Sequence, residues 1–175
     1  MSDFVIPPEH PSAPAYRAPS PVSPIDAICE AAVARLKERL PGRVIVEHFP
    51  DKPGEFDFEG YDAAALVIYD GSRFDKAGQL GAQGIREELR LVVSLLVRSL
   101  RGSNGAYALL SDIRGALHGQ SLAGSTGLRP VEIELERENE GVFQYRAAFE
   151  AAIVAVPNKI ASGVALPRGF ETERR

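Results

Sequence analysis

The chain has 175 residues, 45% of them hydrophobic, and a formal net charge of −4. That length fits one domain with tails, and the apolar fraction is enough for a real core. The acidic balance excludes an overall basic footprint for grasping nucleic acid, and a lone cysteine, Cys29, excludes a disulfide framework or a cysteine-based zinc site within one chain.

Residues 1–22 carry six prolines, at positions 7, 8, 11, 14, 19 and 21. A segment so poor in backbone donors builds neither helix nor central strand, and it reads as an extended arm. Phe4, Val5, Ile6 and Tyr16 are its candidate anchors on a partner. The segment has neither the basic start nor the apolar stretch of a signal peptide. No apolar run reaches the ~18 residues of a membrane span. These features predict a soluble protein made in the cytoplasm.

A domain is predicted over residues 23–157. Ser23-Pro24-Ile25-Asp26 opens a helix, with Ser23 as N-cap, Pro24 in the first turn and Asp26 at the positive end. Ile25, Ile28, Cys29, Ala32, Val33, Leu36 and Leu40 recur at helical spacing, and Pro41-Gly42 stops it. Cys29 lies on that apolar stripe and reads as a buried structural thiol. RVIVEHF, residues 43–49, is a short strand, and AAALVIY, residues 63–69, reads as a central one. DGSRFDKAGQLGAQG, residues 70–84, reads as a long exposed connection. Its Arg73, Phe74, Lys76 and Leu80 are candidate contact residues.

The strongest strand spans residues 85–99, with Leu89, Leu91, Val93, Leu95 and Val97 on one face. Arg90, Val92, Ser94, Leu96 and Arg98 lie on a partly exposed second face. Ser103 or Asn104 is expected to cap a second helix that ends at Gly119 and buries Tyr107, Leu110, Ile113 and Leu117. A hairpin closes the domain, residues 131–138 and 142–156, turning at Glu138-Asn139-Glu140-Gly141. Residues 158–175 form a second tail. Short links favour antiparallel pairing of sequential strands. The predicted fold is α+β: a mostly antiparallel sheet of four to five strands with two helices on one face. The other face is left to water or another subunit.

Glu132, Glu134 and Glu136 recur at every second position of the first hairpin strand. That spacing puts them on one face. Acid–base catalysis needs carboxylates in different environments, and a metal needs a closed cage, so a solvated outer face is the plainer reading. The three histidines, His10, His48 and His118, show no metal-ligand or triad spacing. RGSNGAY lacks both phosphate-loop signatures. No catalytic, cofactor or metal residue is predicted. Open sheet face, long loops and tails describe a protein made for contact with other proteins. A small-molecule-binding enzyme built around residues 70–84 and 102–105 is the rival from another class.

SPIDAICEAAVARLKERLPG, GAYALLSDIRGALHG and EGVFQYRAAFEAAI resemble the Mu-type phage protein family often called gp37-like, over roughly residues 22–156. That family is linked to tail terminators of contractile-tailed phages. The resemblance implies a tail-terminator-like fold and a homo-hexameric ring at the head-proximal end of the tail, in the neck of the virion. It implies contacts with tail tube, sheath and a head-completion or connector protein, passage of DNA without specific binding, and no cofactor. Another neck component is the nearest alternative. Under this reading Glu132, Glu134 and Glu136 are candidates to line the lumen, and Arg73, Phe74, Lys76 and Leu80 to dock on the tube.

Overall fold

The computed structural model describes residues 23–75 and 84–155. The proposed arm anchors Phe4, Val5, Ile6 and Tyr16 lie outside these residues, as do Lys76 and Leu80. No described helix is long and apolar enough to cross a membrane.

Helix α1 runs Pro24–Arg39, and helix α2 runs Ala106–Leu117. The strands are β1 (Val44–His48), β2 (Ala63–Phe74), β3 (Ile85–Val97), β4 (Arg129–Asn139) and β5 (Val142–Ala155). They form one sheet in the order β1-β2-β3-β5-β4. The α+β expectation, with both helices on one face, is met. Helix α1 buries Ile28, Cys29, Ala32, Val33 and Leu36, the stripe its apolar spacing draws. Those side chains meet Ala63, Ala65 and Val67 of β2 in one core that also takes in Leu91 and Leu95 of β3, Phe149 of β5, and Leu109 and Ile113 of α2. Burial of this shared face is the main force holding the two helices on the sheet.

The hairpin turn matches its sequence. Glu140 and Gly141 have φ of 51° and 79°. Two successive residues in that region make the turn whose twist suits a two-residue hairpin. The Glu138 side chain accepts a hydrogen bond from the Gly141 amide at 2.9 Å.

Four expectations need correction. First, β1 and β2 pair in parallel, Val44 beside Ala63 and His48 beside Val67. A parallel neighbour must be entered from the same end, so the chain has to travel back along the strand. Residues 49–62 make that return across the face away from the helices. Phe58 there packs on Ala64 and Leu66, with Phe56 beside it, and Arg98 lies 4.4 Å over the Phe58 ring. One end of the supposedly open face is therefore covered by this chain's own loop.

Second, residues 70–74 are strand. Beyond a bulge between Tyr69 and Gly71, Arg73 pairs with Glu88 and Phe74 with Glu87. Pairing with the first half of β3 carries β2 through a sequence whose glycine and charges read as a loop. Third, neither Ser103 nor Asn104 caps α2. Gly105 is the N-cap residue, and a Cβ there would come within 2.4 Å of the Arg101 carbonyl oxygen. The Asn104 amide donates instead to Asp62 at 2.7 Å. Fourth, Tyr107 is 54% exposed rather than buried, while Leu110, Ile113 and Leu117 are in the core.

Candidate interaction surface on the open sheet face

The side chains of β3, β4 and β5 that point away from the helices meet in one charged cluster. Register decides its membership. Arg146 on β5 stands opposite Ser94 on one side and Glu134 on the other, and Ala148 stands opposite Val92 and Glu132. Glu132, Glu134 and Glu136 thus flank a single arginine. Glu136 sits at a β4 irregularity between Leu135 and Arg137, which turns its carboxylate toward β5.

The Arg146 guanidinium lies 3.5 Å from Glu132, 3.9 Å from Glu134 and 3.8 Å from Glu136, and it also donates to Asp70 from the β2 bulge. Its side chain is only 17% exposed. Arg90 donates to Glu132 at 2.9 Å and stands 3.7 Å from the Asp70 carboxylate. Its Nε is buried without a hydrogen-bond partner. The Gln144 amide bridges Glu136 at 2.9 Å and Ser94 at 3.3 Å. Four carboxylates, Asp70 and the three glutamates, therefore share two guanidiniums. The cluster is knitted together and still keeps excess negative charge.

The acid row is confirmed as one face, and the structure adds what its spacing did not show: Arg90, Arg146 and Asp70. The only sequence hint was parity. Arg146 is a lone cation within an otherwise weakly charged strand, and Arg90 opens the mixed second face of β3 with Val92, Ser94 and Leu96. Such a lattice suits a rigid, acidic contact surface. Its carboxylates already accept from cations and amides. Among the described residues no group of three His, Cys, Asp or Glu is arranged to hold a metal ion. A shallow hollow of about 170 Å³ beside it is lined by Gly71, Ser72, Arg73 and Glu88.

Arg73 and Phe74 do come together at the end of β2, with Phe74 61% exposed. Nearby, the Tyr69 hydroxyl donates to Ser72 at 2.8 Å, and Ser72 donates to the buried Glu87 carboxylate at 2.6 Å. That chain pins the β2–β3 extension. His48 approaches Glu30 at 3.1 Å across a cleft between α1 and the sheet edge. Burial pushes the Cys29 thiol up, with Asp26 and Glu30 adding to it, as fits a structural rather than a reactive thiol.

A second surface lies on the other side of β4. This strand is the sheet edge; Ile133 and Leu135, on the helix side opposite Ala147 and Tyr145, are 41% and 51% exposed, and Val131, at an irregularity before them, is 42% exposed. Tyr107 of α2 adds to this strip, close enough to Tyr145 that burial and the Tyr107 hydroxyl hold the Tyr145 phenol above its ordinary range.

No curated protein matches the chain. A chain of a solved structure described as the virion of a native gene transfer agent (GTA) particle shares the fold, with a TM-score of 0.51 at 15% sequence identity, and the match covers 77% of this chain and 100% of that one. The model of the Gp37 protein family matches residues 32–167, from the middle of α1 past the end of β5. The protein described here is a member of the Gp37 family.

Proposed function

We propose that this protein is a structural component of a phage or phage-like virion. Within that class we propose a tail terminator of a contractile tail. It would assemble in the host cytoplasm as a ring of six copies at the head-proximal end of the tail. There it stops growth of tube and sheath and offers the surface for a head-completion or connector protein. The observation that carries this reading is the family match over residues 32–167, joined by the fold shared with a chain of an assembled virion particle.

The molecule's surfaces are consistent with that role. A sheet with an exposed edge strand and an acidic face presents unpaired groups that a neighbour can satisfy. Closed cyclic symmetry limits growth, as a terminator requires, whereas a helical stack continues. Carboxylates in excess over guanidiniums on one face repel phosphates, so a lumen lined by Glu132, Glu134 and Glu136 lets DNA pass without holding it. Arg73 and exposed Phe74, with Lys76 and Leu80 following in sequence, are proposed to dock on the tube. Phe4, Val5, Ile6 and Tyr16 are proposed to anchor the proline-rich segment on sheath or neighbouring subunits. The role is a structural one, without catalysis.

Binding to purified tail-tube protein tests the assignment. Terminators bind the tube; a different neck component ignores the tube and binds its own neighbour, the connector or head-completion protein.

A further inference from the structure

The exposed edge of β4 has two sides of opposite character, and together they define what can lie beside it. On the helix side are Ile133 and Leu135, opposite Ala147 and Tyr145, with exposed Val131 at the irregularity just before them. On the other side are Glu132, Glu134 and Glu136. Two copies of β4 cannot pair with each other around a two-fold axis, because antiparallel pairing centred near Glu134 sets glutamate against glutamate. An acceptable strand has apolar residues at every second position and small or cationic residues between them.

The sequence after β5 has that pattern. Residues 159–166 read Lys-Ile-Ala-Ser-Gly-Val-Ala-Leu. Ile160, Ser162, Val164 and Leu166 share one parity, three of the four apolar; Lys159, Ala161, Gly163 and Ala165 share the other. Pro157 and Pro167 bracket the stretch, as prolines bracket strands. Residues 156–175 carry four cationic and two acidic side chains, the right sign for the glutamate row. The family match also runs on to residue 167, which takes in this whole stretch.

We propose that the free edge of β4 receives residues 159–166 of a second copy of this chain as an added strand. Reach decides for a second copy. Ala155 ends β5, whereas Val131 lies level with residues 148 and 149. A chain folding back on itself must return roughly 20 Å along β5 and cross about 10 Å to the outside of β4. The five steps from Ala155 to Ile160 span at most about 18 Å. A strand given to one neighbour and taken from the other is a head-to-tail contact, the kind that builds a ring when the rotation between copies closes. The inference thus deepens the ring reading, and it rests on that reading for its place in the particle.

Hydrogen exchange of the full-length assembled protein tests it, against the variant Ile160→Asp/Val164→Asp/Leu166→Asp. Amides of residues 131–138 are expected to exchange at least tenfold more slowly in the wild type than in the variant, with β3 protection equal in both. An added peptide of residues 156–170 is expected to lower the wild-type assembly mass by occupying β4. Equal β4 exchange in wild type and variant overturns the proposal, as does β4 protection that survives dilution to monomer. A wild-type ring whose β4 amides exchange as fast as those of the variant overturns strand donation and leaves the ring reading intact. A wild type that never assembles overturns both.

Discussion

Replacing Arg146 with methionine keeps an unbranched stem reaching about as far as the arginine's Nε and removes the guanidinium on which four carboxylates converge. Arg146 donates to Asp70 and lies within 3.9 Å of Glu132, Glu134 and Glu136. A well-buried hydrogen bond to a charged group contributes about 1.5–3 kcal/mol, and an exposed ion pair about 0–1 kcal/mol. The arginine is mostly buried, whereas its partners are 36–49% exposed. The change therefore costs about 1–2 kcal/mol in total, nearer the exposed limit per contact. With a urea slope of about 1.5 kcal/mol/M, the unfolding midpoint falls by roughly 0.7–1.3 M. In 1 M NaCl the screening length drops to about 3 Å, so the cost shrinks by at least half. In a Glu132→Gln/Glu134→Gln/Glu136→Gln background only Asp70 remains as a charged partner, and the cost falls below about 0.5 kcal/mol. Urea denaturation of the four proteins at low and high salt supplies the numbers. An Arg146→Met cost that is the same in both backgrounds and unaffected by salt would refute the view that this arginine holds the acid row together.

Three further outcomes are expected. Phe149, fully buried at the centre of β5, costs about 3–5 kcal/mol on truncation to alanine, read by the same urea midpoint. Two glycines of α2, its N-cap Gly105 and the interior Gly115, respond in opposite directions. Gly105→Ala forces a Cβ against the Arg101 backbone and destabilises by about 1–3 kcal/mol, whereas Gly115→Ala meets nothing within 4 Å and stabilises by about 0.4–1 kcal/mol, as thermal melts will show. Asp62 accepts from Asn104 and Arg43, which together hold its carboxyl below the ordinary range despite an opposing effect of burial. A folded pKa below the unfolded one gives a contribution fully present above the unfolded value and lost as the pH falls through the folded one. Acidification below about pH 4 therefore destabilises the wild type more than Asp62→Asn, measured as the difference in urea midpoint between pH 7 and pH 3.

The parts of the fold carried by local pattern were readable. The α1 stripe from Ile28 to Leu36, the alternation of Leu89 to Val97 and the Glu140-Gly141 turn each depend on residues close in sequence. Parallel pairing of β1 with β2 was not readable, because it depends on where Phe58 packs, and a loop phenylalanine carries no mark of its destination. The strand at residues 70–74 exists through its pairing with β3, against its own composition. The acid row was visible as a spacing, but its environment was not. Arg90 lies 42 residues from Glu132, and Arg146 lies 76 from Asp70. Only the β3–β5–β4 register brings them together, so three glutamates that look solvated in sequence are braced by two arginines in the fold. The exposed side of Tyr107 has a similar origin: β4 continues past the area the helices cover, leaving the α2 margin open.

We propose that the protein closes a ring on one end of a tail tube. The most direct test is to measure the mass of the purified protein in solution with and without tail-tube protein, then to image the mixture by negative stain. The account predicts a closed ring of discrete mass that caps one tube end and halts its elongation. A persistent monomer that leaves tube growth unchanged, or decoration along the whole tube, would contradict it.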